Sequence, residues 1–451
     1  MDETEVLAEN VERTSYDDIP ADAVADAKQA IRDVVGVAIY GSHHEVGDLV
    51  TGYVERSFGD SEATLIGRGT TTAPGAALAN GSYAHAIDYD DTFESIVIHP
   101  SGPVFSATLA ATEMTEGSGT DLLTGYVVGV EAAYRVGHST YPNHYDHGWH
   151  STGTAGSFGA AAAAGSVLGL SVAELRHAFA VVASSSSSLK KNFGSMTKPL
   201  HPGHAAQMGV RATLLAEASF TGDEAILEGE MGYGNVMTPD GSYDPEAITE
   251  GWGDEWAVSE IGFKPYPSGV ISHAAMDALR SIVLEHDFSP DDVDRITVTL
   301  EEAANEMLIH AEPENALQAK FSIEFCLAAI LRERDAGVRE FSDEYVTAPE
   351  TRREIEKVDR DFETNLFGGD FAGYGARVVV ETADGETYVG EEKRAPGSPS
   401  NPISEDRLLT KFTNCAEAVL DADDAAAAAN AIEELDADGA LDRMLTAVKP
   451  T

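Results

Sequence analysis

The stretch GTAGSFGAAAAAGSVLGL, residues 153–170, consists mostly of glycine and alanine. In a chain that has no apolar run of membrane-spanning length, this composition indicates buried helices whose backbones approach each other closely. Residues 19–40 also predict a helix, because their apolar side chains recur at three-and-four spacing. Helical patterns continue to about residue 220, and we therefore predict a large helical domain.

The pattern changes after about residue 265, where strands become recognisable. Residues 294–300, DRITVTL, alternate between apolar and polar side chains, as a half-buried strand does. Residues 376–392 contain two strand-like runs on either side of a tight Asp-Gly turn. This part of the chain is therefore expected to be α+β.

A break and a return to helical patterns complete the predicted organisation. The segment APGSPSNP, residues 395–402, interrupts the chain, and a tail containing AAAAANAIEEL follows. The fold class that we predict is mostly α. It has a large all-helical domain, residues 1–264 and 403–451, and an inserted smaller α+β domain, residues 265–402.

The chain is strongly acidic. Its 451 residues include 77 acidic and 29 basic ones, which gives a formal net charge of −48. This charge argues against nucleic acid as a partner and suits a halophilic protein, because a Debye length of about 3 Å at 1 M salt removes self-repulsion. The acidic N-terminal segment and the lack of a spanning run predict a cytoplasmic protein with no membrane partner. Two cysteines, Cys326 and Cys415, are too few for the usual protein-held iron–sulfur cluster.

The segment HAIDYDDTFESIVIHPSGP, residues 85–103, gathers four acidic residues ahead of His99. It matches the DxDxT of haloacid-dehalogenase phosphotransferases, but that motif follows a buried strand, whereas the preceding residues here have a helical pattern. It also resembles the DDxxE box of helical isoprenoid synthases, although no second acidic metal box is evident. A Mg²⁺-dependent prenyl-diphosphate enzyme stays an alternative, and so does a structural role in which the acids cap a helix.

Scarce cations and histidines recur in short segments that contain turn residues. They are His150 in GWHSTGTAG, Lys198, His201 and His204 in MTKPLHPGHAAQMG, and Lys264 in IGFKPYP. In the second segment Pro199, Pro202 and Gly203 interrupt the helical pattern. Together with His99, these side chains are the set needed to bind a polycarboxylate and to move a proton beside it. We expect His201 and His204 to contact that substrate.

Six segments carry a resemblance to a known family. They are HAIDYDDT…HPSGP, GWHSTGTAGSFGAAAAAGSVLGLS, TKPLHPGHAAQMGVRATLLAEASFTG, ILEGEMGY, FKPYPSGVISHAAMDAL and AKFSIEFCLAA. In this order they span nearly the whole chain and resemble the 2-methylcitrate dehydratase superfamily, also called MmgE/PrpD. The resemblance implies a cytoplasmic homodimer with a large helical domain and a smaller α+β domain over a cleft. Members include 2-methylcitrate dehydratases, cis-aconitate decarboxylases and iminodisuccinate epimerases, which work without an iron–sulfur cluster.

The resemblance also implies which residues form the pocket. They are Asp88, Thr92, His99, His150, Lys198 and Lys264. It implies catalytic roles for five of them, with Thr92 as a substrate contact, and no metal or other cofactor. One departure is visible, because this chain has Phe325 where the decarboxylase relatives have a catalytic tyrosine. The missing phenol weakens the decarboxylase assignment in particular.

The chemistry shared by these enzymes is proton exchange at a carbon next to a carboxylate. Positioned cations offset the negative charge that grows there, a task suited to Lys198 and Lys264, whereas His99 and His150 suit acid and base roles. We expect Asp88 to orient a histidine. The sequence thus predicts a metal-independent dehydratase of a small di- or tricarboxylate such as 2-methylcitrate, with a role in propionate catabolism. An epimerase, a racemase, a decarboxylase and a non-catalytic binding paralogue stay open.

Overall fold

The structure is a computed structural model that describes residues 2–59, 61, 63–93, 95–368 and 374–449. The chain divides into two compact units. The first consists of Met1–Phe263 and Cys415–Thr451, and the second of Lys264–Asn414. The predicted fold class is confirmed, since the chain is mostly helical with a small mixed sheet in its C-terminal region. The domain boundaries expected after residues 264 and 402 stay a prediction.

The first unit is built mainly from helices. They are α1 Glu3–Arg13, α2 Ala21–Ser42, α3 Glu45–Ser57, α4 Ala73–His85, α5 Ser101–Met114, α6 Gly119–Thr140, α7 Asn143–Asp146, α8 Ser151–Val167, α9 Val172–Ala183, α10 Thr197–Glu217, α11 Tyr233–Met237 and α12 Glu246–Thr249. Short 3-10 helices lie at Tyr16–Asp18, Lys190–Asn192 and Ala257–Glu260. A two-stranded antiparallel ribbon, β1 Ala63–Thr64 and β2 Thr70–Thr71, accompanies them. Among the described residues, no helix combines the length and apolar character that a membrane span needs.

The glycine- and alanine-rich helix α8 lies at the centre of this unit. It is buried from Ser151 to Gly165 and packs against α5, α6, α9 and α10. A Cβ atom added to Gly159 would lie 2.6 Å from the Gly129 carbonyl oxygen of α6. Because such a distance is shorter than any real contact of a Cβ atom, the two helices require glycine here. The predicted close packing of buried helices is confirmed.

Helix α10 corrects one expectation. We took Pro199, Pro202 and Gly203 as interruptions of the helical pattern, but α10 is continuous through all three residues. Pro199 lies in the first helical turn, where backbone N–H groups have no intrahelical acceptor, so its missing N–H removes no bond. Pro202 lies inside the helix and removes a single bond to the carbonyl of Lys198. Tight packing of α10 against its neighbours compensates for that loss.

Helices α4 and α10 also approach each other at glycine residues. A Cβ atom on Gly203 would lie 2.2 Å from the Leu78 carbonyl oxygen and 2.2 Å from Ser82 Oγ. On the other helix, a Cβ atom on Gly81 would lie 2.8 Å from Gly203 Cα. The two backbones therefore meet at glycine on both sides. This contact fixes the end of α4 relative to the start of α10.

The C-terminal helices return to the first unit. α18 Glu405–Ala416 crosses the boundary between the two units, and α19 Ala422–Glu433 and α20 Ala440–Ala447 follow it. α19 packs against α2, where the buried Lys28 Nζ donates to the Glu433 carbonyl oxygen at 2.8 Å and to Asp436 at 2.6 Å.

The second unit contains a four-stranded sheet in the order β4-β3-β5-β6. Its strands are β3 Val293–Glu301, β4 Val358–Glu363, β5 Ala376–Thr382 and β6 Thr387–Glu392. The β3–β4 pair is parallel and the other two pairs are antiparallel. Its helices are α13 His273–His286, α14 Ala316–Ala319, α15 Ile323–Glu333, α16 Asp343–Thr347 and α17 Pro349–Ile355, with 3-10 turns at Val270–Ser272, Pro290–Asp292 and Glu302–Glu306. The strands expected in 294–300 and 376–392 are confirmed.

One face of this sheet forms the core of the second unit. Ile296, Val298 and Leu300 alternate along β3 and are buried. Helix α13 packs against β5 and β6, and α15 packs against α13 and β4. The period-two pattern of the sequence therefore identified the buried face of the central strand correctly.

We predict that Gly203→Ala destabilises the first unit by about 1–3 kcal/mol, because the added methyl group forces α4 and α10 apart. Unfolding by urea, followed by circular dichroism in concentrated salt, measures the change. Gly52→Ala in α3 is the matched control, since the nearest atom to its added Cβ is 3.7 Å away. Alanine is a better helix former than glycine, so the control is expected to unfold at an equal or higher urea concentration. Equal midpoints for Gly203→Ala and the wild type would contradict the packing argument.

Candidate active site

The segment that follows α4 brings its acidic residues back toward the helix. Asp88 has a positive φ of 56°, a left-handed conformation that aspartate adopts more readily than most residues. The Asp88 N–H donates to the His85 carbonyl oxygen at 3.3 Å, which closes a turn directly after the helix. Two isolated bridges, Thr92 with Gly262 and Phe93 with Ile98, then hold the chain up to His99. These backbone hydrogen bonds fix the described residues around Asp88, Thr92 and Phe93.

His85 and Asp90 form a buried pair. Nδ1 of His85 lies 2.8 Å from both carboxylate oxygens of Asp90, and both side chains are inaccessible to solvent. Because an ionised carboxylate only accepts hydrogen bonds, Nδ1 carries the hydrogen, and in the neutral ring Nε2 carries the lone pair. That Nε2 atom is buried and has no hydrogen-bond partner among the described residues.

His85 is the residue that our sequence reasoning missed. It is the first residue of the acidic segment and lies three positions before Asp88. That spacing at a helix end was the only available signal, and it is weak, because a histidine in the last turn of a helix often serves as a simple cap.

His99 is held by backbone and hydroxyl groups. Its Nδ1 donates to the Asp91 carbonyl oxygen at 2.7 Å, and its own backbone N–H donates to Thr152 Oγ1 at 3.0 Å. The ring lies 4.6 Å from that of His85 between centroids. Since a carbonyl oxygen can only accept, Nδ1 of His99 also carries the hydrogen.

His150 stands at the start of α8 and contacts His201 of α10. The two Nδ1 atoms are 2.9 Å apart, so one ring donates a hydrogen bond and the other accepts it. The His150 ring centroid lies 6.1 Å from those of both His85 and His99. We call these four buried residues, His85, His99, His150 and His201, the histidine cluster.

Burial keeps part of this cluster uncharged. Desolvation, assisted by the charge of Lys198 and by the neighbouring rings, lowers the pKa of His150 well below its usual value. The same causes lower the pKa of His201 to about 4. Both rings are therefore neutral at neutral pH, which leaves them able to accept a proton.

Lys198 and Asp88 form a buried ion pair beside the cluster. Lys198 Nζ lies 2.9 Å from Asp88 Oδ2, and little of either side chain is exposed. The Phe193 ring lies 5.3 Å from Lys198 Nζ and 4.9 Å from the His150 ring, so it contacts both groups. Asp88 pairs with Lys198, and Asp90 is the aspartate that accepts a hydrogen bond from His85. The expectation that Asp88 orients a histidine stays a prediction.

Asp91, the third aspartate of the segment, is part of a buried hydrogen-bond network with hydroxyl groups. Its carboxylate accepts hydrogen bonds from the backbone N–H and the hydroxyl of Ser101 at the start of α5. The same hydroxyl lies 2.5 Å from the Tyr126 hydroxyl. Complete burial raises the pKa of Asp91 well above its usual value. Glu94, the fourth acid of the segment, lies outside the described residues.

The remaining predicted residues are less closely associated with the cluster. Thr92 is buried and forms the backbone bridge described above. His204 is only half-buried; burial lowers its pKa, and a hydrogen bond with the Ser185 backbone opposes that change. Lys264 is buried and is the first residue of the second unit. Its place in a shared pocket stays a prediction, as do the roles of all eight predicted residues.

Comparison with known proteins shows the family. Residues 5–246 match the MmgE/PrpD N-terminal domain, and residues 266–437 match the MmgE/PrpD C-terminal domain. The chain belongs to the MmgE/PrpD family. The resemblance found in the sequence is therefore confirmed.

Curated relatives of this MmgE/PrpD protein include several cis-aconitate decarboxylases. The mouse enzyme is 28% identical over 426 residues, which cover 91% of this chain and 86% of the relative. The human enzyme is 27% identical over 400 residues, covering 86% and 82%. An enzyme of Aspergillus terreus is 25% identical over 441 residues, covering 90% and 87%. The comparisons indicate an enzyme of this family, and the reaction named for these relatives is decarboxylation, not the dehydration that we expected first.

We predict that His201 makes stability depend on pH. Its pKa is about 4 in the folded chain and about 6.5 when unfolded, so between these values only the unfolded state binds the proton. The free energy of unfolding should therefore fall as the pH decreases from about 6.5 to about 4. Unfolding midpoints measured at several pH values in constant salt test this expectation.

His201→Gln provides the comparison, because glutamine keeps a hydrogen-bonding group but does not titrate. Its midpoint should fall less between pH 7 and pH 4.5 than that of the wild type. His147→Gln, at an exposed position, serves as the control and should follow the wild type. Comparing variants at each pH cancels the common contribution of the acidic surface. Parallel curves for His201→Gln and the wild type would contradict the prediction.

Proposed function

We propose that this protein is a lyase that acts on a small tricarboxylate of the cis-aconitate class, with decarboxylation as its reaction. The observation that supports this proposal most directly is the buried histidine cluster beside the buried Lys198–Asp88 pair. The names of the relatives support the substrate class, and at 25–28% identity they leave the reaction itself to be tested.

Decarboxylation places specific demands on such a site. Breaking the bond between a carbon and its carboxylate releases CO₂ and leaves the electron pair on that carbon. One proton must then be delivered to it, so the reaction consumes one carboxylate and one proton. A positioned cation stabilises the growing charge, and a nearby acid provides the proton.

The residues of the first unit can divide these tasks. We assign Lys198 as the cation that binds a substrate carboxylate. This carboxylate would replace part of the contact between Lys198 and Asp88. His150 and His99 are the groups that we assign to proton transfer. In the step that we propose, His150 gives its Nε2 hydrogen to the carbon and takes the Nδ1 hydrogen of His201 across their hydrogen bond. His201 regains a proton from solvent at its Nε2, so neither ring keeps a charge.

Dehydration is the second candidate, and Phe325 favours it. The sequence resemblance gives decarboxylase relatives a catalytic tyrosine at this position, but phenylalanine has no hydroxyl group. The Phe325 side chain is buried and lies 5.1 Å from the Phe341 ring between centroids. A hydro-lyase acting on 2-methylcitrate would remove a proton and hydroxide and would not need a phenol at that position.

The decisive experiment is incubation of the protein in concentrated salt and D₂O with cis-aconitate and 2-methylcitrate in separate tubes. Nuclear magnetic resonance follows the products. Decarboxylation gives CO₂ and a product with one carboxylate fewer and one new deuterium atom. Dehydration gives an alkene with all carboxylates retained. Absence of change in both tubes, with protein that circular dichroism shows to be folded, would overturn the proposal.

We predict that Lys198→Gln reduces turnover by about 10²- to 10³-fold, similar to the loss of one oxyanion donor. Glutamine keeps a donor for Asp88 but removes the charge that a substrate carboxylate needs. Lys198→Arg is expected to restore only part of the activity, because a planar fork replaces a point charge. Steady-state rates, normalised to folded protein, measure both effects.

The matched control is Lys191→Gln, an exposed lysine seven positions earlier in the chain. It should keep wild-type turnover. If Lys198→Gln also keeps wild-type turnover, Lys198 is not part of the reaction. The predicted homodimer, cytoplasmic location and salt tolerance stay predictions beside this proposal.

A further inference from the structure

We propose that His85, His99 and His150 form a binding site for a divalent transition-metal ion such as Zn²⁺ or Co²⁺, and that the bound ion inhibits the enzyme. Metal binding is independent of the function proposed above. The inhibition rests on that function, because it assumes that the same histidines transfer protons.

The geometry of the three rings is the first observation. One donor atom from each histidine lies within 4.8 Å of the donor atoms of the other two, and all three side chains are buried. Tetrahedral zinc holds imidazole nitrogens at about 2.0–2.1 Å, so its ligands are about 3.4 Å apart. The three donor atoms must therefore move closer together when the ion binds.

The partners of the rings are the second observation. Histidines that bind metals usually donate their other N–H to a carboxylate or to a backbone carbonyl. His85 donates to Asp90, and His99 donates to the Asp91 carbonyl. Both contacts use Nδ1, so a metal ion would be bound through Nε2 of each ring.

The unsatisfied nitrogen of His85 is the third observation. The residue is 1% exposed, and Nε2 has no hydrogen-bond partner among the described residues. His150 completes the set when its Nδ1 donates to Nδ1 of His201, because its lone pair then also lies on Nε2. A single choice of tautomers therefore prepares all three rings for a metal ion.

Charge and coordination number agree with this assignment. The Lys198–Asp88 pair is neutral as a unit, and the Asp90 carboxylate partly balances the ion through His85. A second group, His85 with Asp88 and Asp90, has similar spacing, but both carboxylates already accept from Lys198 and His85. Three histidine ligands leave a fourth position for water. An ion held this way would occupy the lone pairs that proton transfer needs.

Cobalt provides the test, because four-coordinate Co²⁺ absorbs visible light far more strongly than the octahedral ion. Full-length protein is treated with a chelator, dialysed into concentrated KCl and titrated with CoCl₂ without substrate. We expect intense visible bands that saturate at one ion for each chain. Surface carboxylates prefer octahedral coordination and add only weak absorption. Weak bands alone would overturn the proposed site.

Variants assign the bands to these residues. His85→Ala should abolish them. Asp90→Asn removes the negative charge of the group that accepts a hydrogen bond from His85, and it should weaken metal binding by about 10- to 100-fold. His147→Ala, at an exposed position, should bind like the wild type. If His85→Ala fails to fold, Asp90→Asn still decides the assignment. Wild-type affinity in Asp90→Asn or in folded His85→Ala would overturn it.

Inhibition is measured separately, with the substrate that the D₂O experiment identifies. One equivalent of Zn²⁺ should abolish turnover, and excess chelator should restore it. Intense cobalt bands without inhibition would overturn the inhibitory role and leave the binding site standing. A protein that turns over neither substrate fails the proposed function, whereas its cobalt spectrum still tests the metal site.

Discussion

The close approach of α4 and α10 is the constraint on which the candidate site depends. At Gly81 and Gly203 the two backbones meet with no room for a side chain on either helix. A Cβ atom on Gly102 of α5 would lie 3.0 Å from Pro202 Cβ, so the same short part of α10 also contacts the helix that follows His99. One segment of α10 thus fixes two neighbouring helices, α4 and α5, at once. Most buried polar residues of the candidate site are close in sequence to these three contacts.

Burial of so many polar groups is stable only because most of them are paired. A buried polar group without a hydrogen bond destabilises a protein by about 1–3 kcal/mol, and a buried unpaired charge by more. Here Asp88 pairs with Lys198, Asp90 with His85, and Asp91 with Ser101. The uncharged state of His150 and His201 removes two further charges. The Nε2 atom of His85 has no hydrogen-bond partner among the described residues. It is therefore an exception in a region where most buried polar groups are paired.

The sequence predicted the fold better than it predicted which side chains of the candidate site pair with each other. Periodicity found the second helix and the strands of 294–300 and 376–392, because one face of each is buried and repeats regularly. It failed at α10, where two prolines imitate a helix end although tertiary packing keeps the helix intact. The family motifs led to the right segments, yet within one segment three neighbouring aspartates have three different partners. That choice depends on a left-handed turn at Asp88 and on helix contacts distant in sequence.

The site also has to work inside a chain whose net charge is −48. In concentrated salt, charges on the surface are screened beyond about 3 Å, so the acidic surface neither attracts nor repels a tricarboxylate at a distance. Buried charges are screened far less, and substrate recognition then depends on the few charged groups that salt does not reach.

Lys198 is such a group, but Asp88 already balances its charge. In the function that we propose, an anionic substrate competes with Asp88 for this ammonium group, and its remaining carboxylates must be neutralised elsewhere. A substrate with several carboxylates gains from each additional contact, whereas a simple monocarboxylate gains nothing over Asp88 itself. This competition favours polycarboxylates over smaller acids.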